Sequence, residues 1–247
     1  MKNNLRMQGV ALCMLPLYLH AGTGGDLKQT YQAAELIPAG TIIPVTLKST
    51  LNSDKSKSGA TITATVMQDV PLGAGKTLRR GSEVTGHVVG TVTPGKGSDE
   101  SKVSFQFDEL QFENRTVPIS ATLRALASFM EVDEAQVPTA GGDGISEAGW
   151  SLAKIGGDEI RISPDVSAQC GGESNARNPP QAFWLFSPDA CGTYGLGDIQ
   201  ISRSGSDAPA GQVTLVSSAQ SVRVVRGSAM ILSVDGREAE ASRGAAR

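Results

Sequence analysis

The chain has 247 residues, 39% hydrophobic and 19% charged, which is enough apolar content for a packed core in one large or two modest domains. Its 22 basic and 25 acidic side chains include no dense basic run beyond Arg79-Arg80, which excludes the electrostatic footprint of a nucleic-acid binder and disfavours adhesion to anionic lipid. With 29 glycines and only 4% aromatic residues, the composition favours many short strands around an aliphatic core over long helices.

Residues 1–21 read as an export signal, with Lys2 and Arg6 ahead of an apolar run at 10–19 and small residues at 21–25. Cleavage is expected near Ala21. The run is too short to span a bilayer comfortably, and Leu12 is too bulky before Cys13 for a lipidation box. Loss of the segment removes Lys2, Arg6, Cys13 and His20. The mature form is then mildly acidic, has no integral membrane span, and belongs in the periplasm or outside the cell. Residues 22–36 form a leader in which Leu27, Tyr31, Ala34 and Leu36 follow helical spacing only loosely.

From residue 37 the pattern changes to strands and turns. Pro38-Ala39-Gly40 turns the chain into a strand where Ile43, Val45 and Leu47 alternate with Thr46 and Lys48, and Pro44 marks an edge or a bend. A charged polar link over 52–59 leads to a second strand, with Ile62, Ala64 and Val66 at period two. The word GAGKT at 73–77 reads as a turn rather than a phosphate loop, because Val70 stands where the leading glycine belongs and no helix follows. Val84, Gly86, Val88, Gly90 and Val92 share one face of a longer strand and Thr85, His87, Val89 and Thr91 the other. The two glycines imply the strong bending that barrel closure requires. After an insert at 95–101, Val103, Phe105 and Phe107 alternate, Glu113-Asn114 makes a turn, and the chain returns through Val117 and Ile119. Six or seven strands suffice for a small barrel over 37–122.

The words IPAGTIIPVTLKSTLNSD, ITATVMQDV and LRRGSEVTG make this region similar to the C-terminal β-barrel segment of TrbI-type scaffold proteins of conjugation and type IV secretion systems. Ile37, Pro38, Gly40, Thr41, Pro44, Asn52, Ser53, Asp54, Asp69, Val70, Arg80, Gly81, Ser82 and Gly86 carry the likeness, which covers about a third of the chain. The resemblance implies a periplasmic barrel that joins an outer-membrane core complex. These are mainly turn and packing residues, so fold transfers better than function. The chain shows no apolar helical insertion able to build an outer-membrane pore, so the resemblance does not imply a complete secretion scaffold.

Residues 123–147 read as a linker, with a short helix expected within ATLRALASFM at 121–130. A second β-rich segment follows over 148–235, with QAFWLFS, GQVTLVS and SAMILSV among its strand words. Trp184, between Phe183 and Leu185, reads as core. This part resembles uncharacterised exported bacterial proteins, which carry no activity to transfer. Cys170 and Cys191 are the even pair left after export and are expected to form a disulfide, closing a loop worth roughly 3 kcal/mol. Residues 236–247 read as a disordered tail.

Chemistry-bearing groups are sparse. His87 is the only exported histidine and has no nucleophile motif near it. The adjacent carboxylates Asp108-Glu109, Asp133-Glu134 and Asp158-Glu159 are expected to face opposite sides or solvent. Asp54, Asp69, Asp99, Asp143 and Asp158 lie in no calcium-binding loop. No catalytic, metal or cofactor residue is therefore assigned. The expectation is an exported all-β protein, a small barrel followed by a second β-rich, disulfide-tied segment. It would act as a non-catalytic scaffold that engages another envelope protein, or a second copy, through sheet edges or loops. A secreted polysaccharide hydrolase with a fold-assembled carboxylate pair is the alternative. Ligand capture inside the barrel is a third reading, and it requires a sizeable apolar cavity.

Overall fold

The computed structural model describes residues 37–95, 99–136, 155–156, 181–202 and 211–235, together with the backbone of 138–139, 151–152 and 166–167. Eleven strands form one sheet. Along its hydrogen-bonded path the order is β12 (Val166–Ser167), β13 (Gly192–Tyr194), β9 (Ala121–Ala127), β17 (Ala229–Val234) and β1 (Ile42–Leu47), then β3 (Thr61–Val66), β6 (Glu83–Val92), β7 (Ser101–Phe112), β15 (Gln212–Ser217) and β14 (Gln200–Ser202). β8 (Arg115–Pro118) pairs beside β7. Neighbours run antiparallel, except β13 and β9, which run parallel. β13 also lies against β14 and β9 against β15, so the sheet curls into a near-closed mixed barrel. Three small antiparallel sheets join it: β2 (Leu51–Asn52) with β16 (Arg223–Val224), β4 (Val70–Gly73) with β5 (Lys76–Leu78), and β10 (Pro138–Thr139) with β11 (Ser151–Leu152). One helix is described, α1 (Phe129–Gln136).

Period-two alternation fills the barrel. Ile43, Val45, Leu47, Ile62, Ala64, Val84, Val88, Phe105, Phe107, Leu215, Met230 and Leu232 belong to one buried cluster. Phe105 and Phe107, on the same face of β7, meet edge to face with centroids 5.8 Å apart. Each fully buried side chain of this size contributes about 1.5–3 kcal/mol, and together they account for a closed interior. β1, β17 and β9 are buried on both faces. Their outer residues Ile42, Ala125, Ala127, Ala229 and Ile231 pack with Val132 and Ala135 of α1 and with Ile155, Leu185, Phe186 and Tyr194 in a second cluster.

Bends come from bulges. On β6–β7 the pairing passes from Gly86↔Phe107 to Thr85↔Glu109, leaving Asp108 as the extra residue. It passes again from Val88↔Phe105 to Gly90↔Ser104, leaving Val89 extra. Beyond this second bulge Val92 pairs with Lys102 and faces outward, so it leaves the face expected for it.

The expected arrangement of a small barrel followed by a second β-rich, disulfide-tied segment is not what the sheet shows. β17, near the C-terminal end, sits between β1 and β9, and β15 extends the sheet beyond β7. The two halves therefore share one sheet and one core, because β1 and β7 each need a partner that the first half does not supply. Nor do the described residues show the expected Cys170–Cys191 disulfide as the tie, because Cys191 is disulfide-bonded but Cys170 lies outside them. Among the described residues, the segment around Cys191 is secured by the pairing of β13 with β9, hydrogen bonds between the Cys191 backbone and the Tyr194 hydroxyl at 2.8 and 2.9 Å, and the Arg124 guanidinium donating to the carbonyls of Ala190 and Pro188.

Three local expectations also change. Residues 121–127, rich in helix formers, are the strand β9, because β17 and β13 flank them and tertiary pairing overrides propensity. The helix starts later, at Phe129. Pro44 lies in an interior strand, yet its carbonyl accepts the Met67 N–H at 3.0 Å just beyond the β1–β3 register. Its missing N–H therefore falls where the ladder has already ended. QAFWLFS is a series of turns joined by isolated bridges, with Trp184 half-buried at φ 49° against the second cluster. The signal and leader over 1–36, the tail over 236–247, Asp143 and Asp158-Glu159 lie outside the described residues. Among the described residues, no helix is long and apolar enough to cross a membrane.

Candidate binding cleft at the barrel end

β1 ends, β3 begins, β6 ends, β7 begins, β15 ends and β17 begins at one end of the barrel, as their antiparallel registers require. The loop over 48–60 and the turn before β17 therefore meet there, although more than 160 residues separate them in sequence. β2 and β16 zip them together. Leu51 and Val224 point into the core, so Asn52 and its register partner Arg223 face away from it. Thr50, Asn52, Lys55, Ser56, Lys57, Ala60 and Arg223 line a cleft of about 560 Å³.

The loop is held at both ends and within itself. Ser53 N–H donates to Val222 O at 3.0 Å, Gly59 N–H to Val88 O at 2.8 Å, and Ser58 Oγ to Val89 O at 2.8 Å. That last acceptor is the carbonyl of a bulge residue, left without a regular ladder position. Inside the loop Asn52 Oδ1 accepts the Asp54 N–H at 2.7 Å, and Ser56 Oγ accepts the Asn52 N–H at 3.0 Å. Arg226 N–H donates to Thr50 Oγ1 at 3.2 Å, joining the turn to the same loop. The cleft has three cationic side chains, two hydroxyls and an amide, and among the described residues its lining holds no carboxylate and no aromatic ring. Such a lining presents positive charge and hydrogen-bond donors to the acceptor groups of a ligand.

His87, a lone barrel residue by sequence, has an acidic partner in the structure. Asp108, the extra residue of the bulge, lies on the outer face of the barrel, and its Oδ2 is 2.7 Å from His87 Nδ1. Both side chains are more than a third exposed. The bulge also turns Asp108 and Glu109 toward the same side, where alternation alone predicts opposite faces. Asp133 and Glu134 are exposed on α1. Among the described residues no group of three or more metal-ligating side chains occurs. GAGKT is the turn of the β4–β5 hairpin, with Gly73, Ala74 and Gly75 at positive φ.

Several residues that carry the TrbI-type likeness fix this scaffold rather than a reactive centre. Asp69 accepts the Arg80 backbone N–H at 2.7 Å and the Arg79 guanidinium at 2.9 Å, and these bonds hold its carboxyl below the usual carboxylate range. At the cleft's end of the barrel, Asp198 is partly desolvated, which works against ionisation. Bonds from Ser217 Oγ, the Ala219 N–H and Gln220 outweigh this and lower its pKa.

No family model matches the chain, and no curated protein matches it. The TrbI-type likeness of residues 37–122 thus gains nothing from these comparisons, and it carries no argument about the cleft.

The charged loop over 52–59 was visible in the sequence as a polar link. Its meeting with Arg223 was not, since no local signal connects two segments so far apart. Asp108 as a partner for His87 was hidden likewise, because alternation places both on the outer face but does not say which residues of β6 and β7 stand side by side.

Proposed function

We propose that the protein is an exported, non-catalytic β scaffold that engages another component of the cell envelope through the loops at one end of its barrel. One observation carries this reading: chain-distant loops converge, with internal hydrogen bonds, on a polar cationic cleft, while side chains such as Phe105, Phe107 and Leu232 fill the barrel interior. A rigid sheet that holds adaptable loops in fixed geometry is a common basis for binding. The filled interior argues against ligand capture inside the barrel.

The test is site-specific photo-crosslinking in intact cells that make the protein. A photoreactive side chain replaces Ser56 in the cleft, and a control probe replaces Gln111 near the opposite end of β7. A discrete adduct from the Ser56 position and none from Gln111 is the expected result, and an adduct of twice the chain's mass identifies self-association. A mature protein that stays monomeric and yields no adduct from either position overturns the proposal.

A further inference from the structure

We propose that the cleft between the 50–60 loop and β16 is an oxyanion site for a ligand bearing two or more carboxylate or phosphate groups. This deepens the scaffold reading and rests on it for its place in the envelope. The chain as a whole is acidic, yet Lys55, Lys57 and Arg223 surround one cleft whose lining, among the described residues, holds no carboxylate. Among the described residues none of these three side chains is in an ion pair, whereas Arg79 and Lys102 elsewhere on the barrel are paired with Asp69 and Glu100 at 2.9 Å. Three like charges around one concavity raise its potential, and a multivalent anion relieves their repulsion.

The neutral lining points the same way. Thr50 and Ser56 supply hydroxyls and Asn52 an amide, groups that complete the coordination of an oxyanion between cationic arms. A neutral sugar would call for an aromatic platform, and an apolar ligand for apolar walls. Only Ala60 is apolar among the lining residues. The volume of about 560 Å³ admits a small polyanion or one charged end of a larger molecule. Preorganisation comes from the anchoring bonds of the loop to Val222, Val88 and Val89, so little ordering remains for the ligand to impose.

Isothermal titration calorimetry on the full mature chain tests the site with two probes, sodium tripolyphosphate and trisodium citrate. The expected result is saturable binding of at least one probe that weakens as salt rises to about 0.15 M. Lys55→Gln/Lys57→Gln/Arg223→Gln should lower affinity by roughly tenfold or more, because each charge-assisted bond is lost. A control, Lys76→Gln/Arg115→Gln near the other end of the barrel, should leave it unchanged. Single variants Lys57→Gln and Arg223→Gln each remove one exposed charge and keep the test readable if the triple variant does not fold. Binding of tripolyphosphate alone assigns phosphate, and of citrate alone carboxylate. No saturable heat with either probe, or equal weakening by cleft and control variants, overturns the site. Anion binding without a crosslinked partner sinks the scaffold reading alone, and crosslinks that persist in a protein binding neither probe sink the oxyanion site alone.

Discussion

Gly86 shows how one residue sets a bend and a contact together. A Cβ at this position would lie 1.9 Å from the Gln106 carbonyl oxygen, so β6 and β7 approach there as only glycine permits. Beside it, at the same bulge, Asp108 contacts His87. Gly86→Ala should destabilise the protein by about 3 kcal/mol, as overpacking against backbone does, and a urea denaturation midpoint would show it. Gly90 has open space around its would-be Cβ and should tolerate alanine far better. The glycine pair was visible in the sequence as a sign of bending, but which of the two is indispensable depends on a cross-strand distance. Carboxylates act at this scale too. Asp69 and Asp198 have folded pKa values below the ordinary aspartate value of about 3.9. Their contribution to stability is therefore complete above that value and drains away as pH falls through the lower folded values. Melting temperature should drop below about pH 4. The drop should be shallower in Asp69→Asn/Asp198→Asn, and a thermal denaturation series against pH measures both.

At the level of elements, β9 and α1 divide a stretch whose composition favours helix throughout. Ala125 and Ala127 belong to the outer cluster with Phe186 and Tyr194, and pairing with β17 and β13 holds the backbone extended. The boundary has a physical marker. Ser128 Oγ accepts the Glu131 N–H at 3.2 Å, and Ser128 with Glu131 three positions later has the spacing of a capping box. That spacing lies in the sequence and identifies the start of α1 better than the Ala- and Leu-rich run before it. Ser128→Ala should cost about 1 kcal/mol, read as a lower denaturation midpoint with the far-ultraviolet spectrum of the sheet retained. Trp184 follows the same logic of cover over core. Its aromatic neighbours were legible, but the turn that places it half-buried at the rim of the outer cluster depends on the surface beneath.

On the scale of the whole molecule, closure requires both halves of the chain. β17 bonds to β1 from Ile42↔Ser233 to Thr46↔Ala229, and β15 covers the free edge of β7 from Gln212↔Gln106 to Ser217↔Ser101. A fragment restricted to 37–122 leaves both of those edges unpaired and exposes Ile43, Phe105 and their neighbours. Expressed alone, it should show no cooperative thermal transition, whereas a chain spanning 37–235 should melt in a single one. A sharp transition from the short fragment would contradict the shared core. The same closure gathers the 48–60 loop and Arg223 at one end, so the proposed cleft and the fold stand or fall together.

Alternation at period two, turn residues and glycine bends were enough to establish from the chain itself that the protein is built of short strands around an aliphatic interior, because each of these signals acts within a few residues. Strand partners, the two bulges and the meeting of Lys55 and Lys57 with Arg223 were settled only by folding. Those features depend on which distant edges can satisfy one another's hydrogen bonds while burying the same apolar faces, and no local spacing encodes that choice.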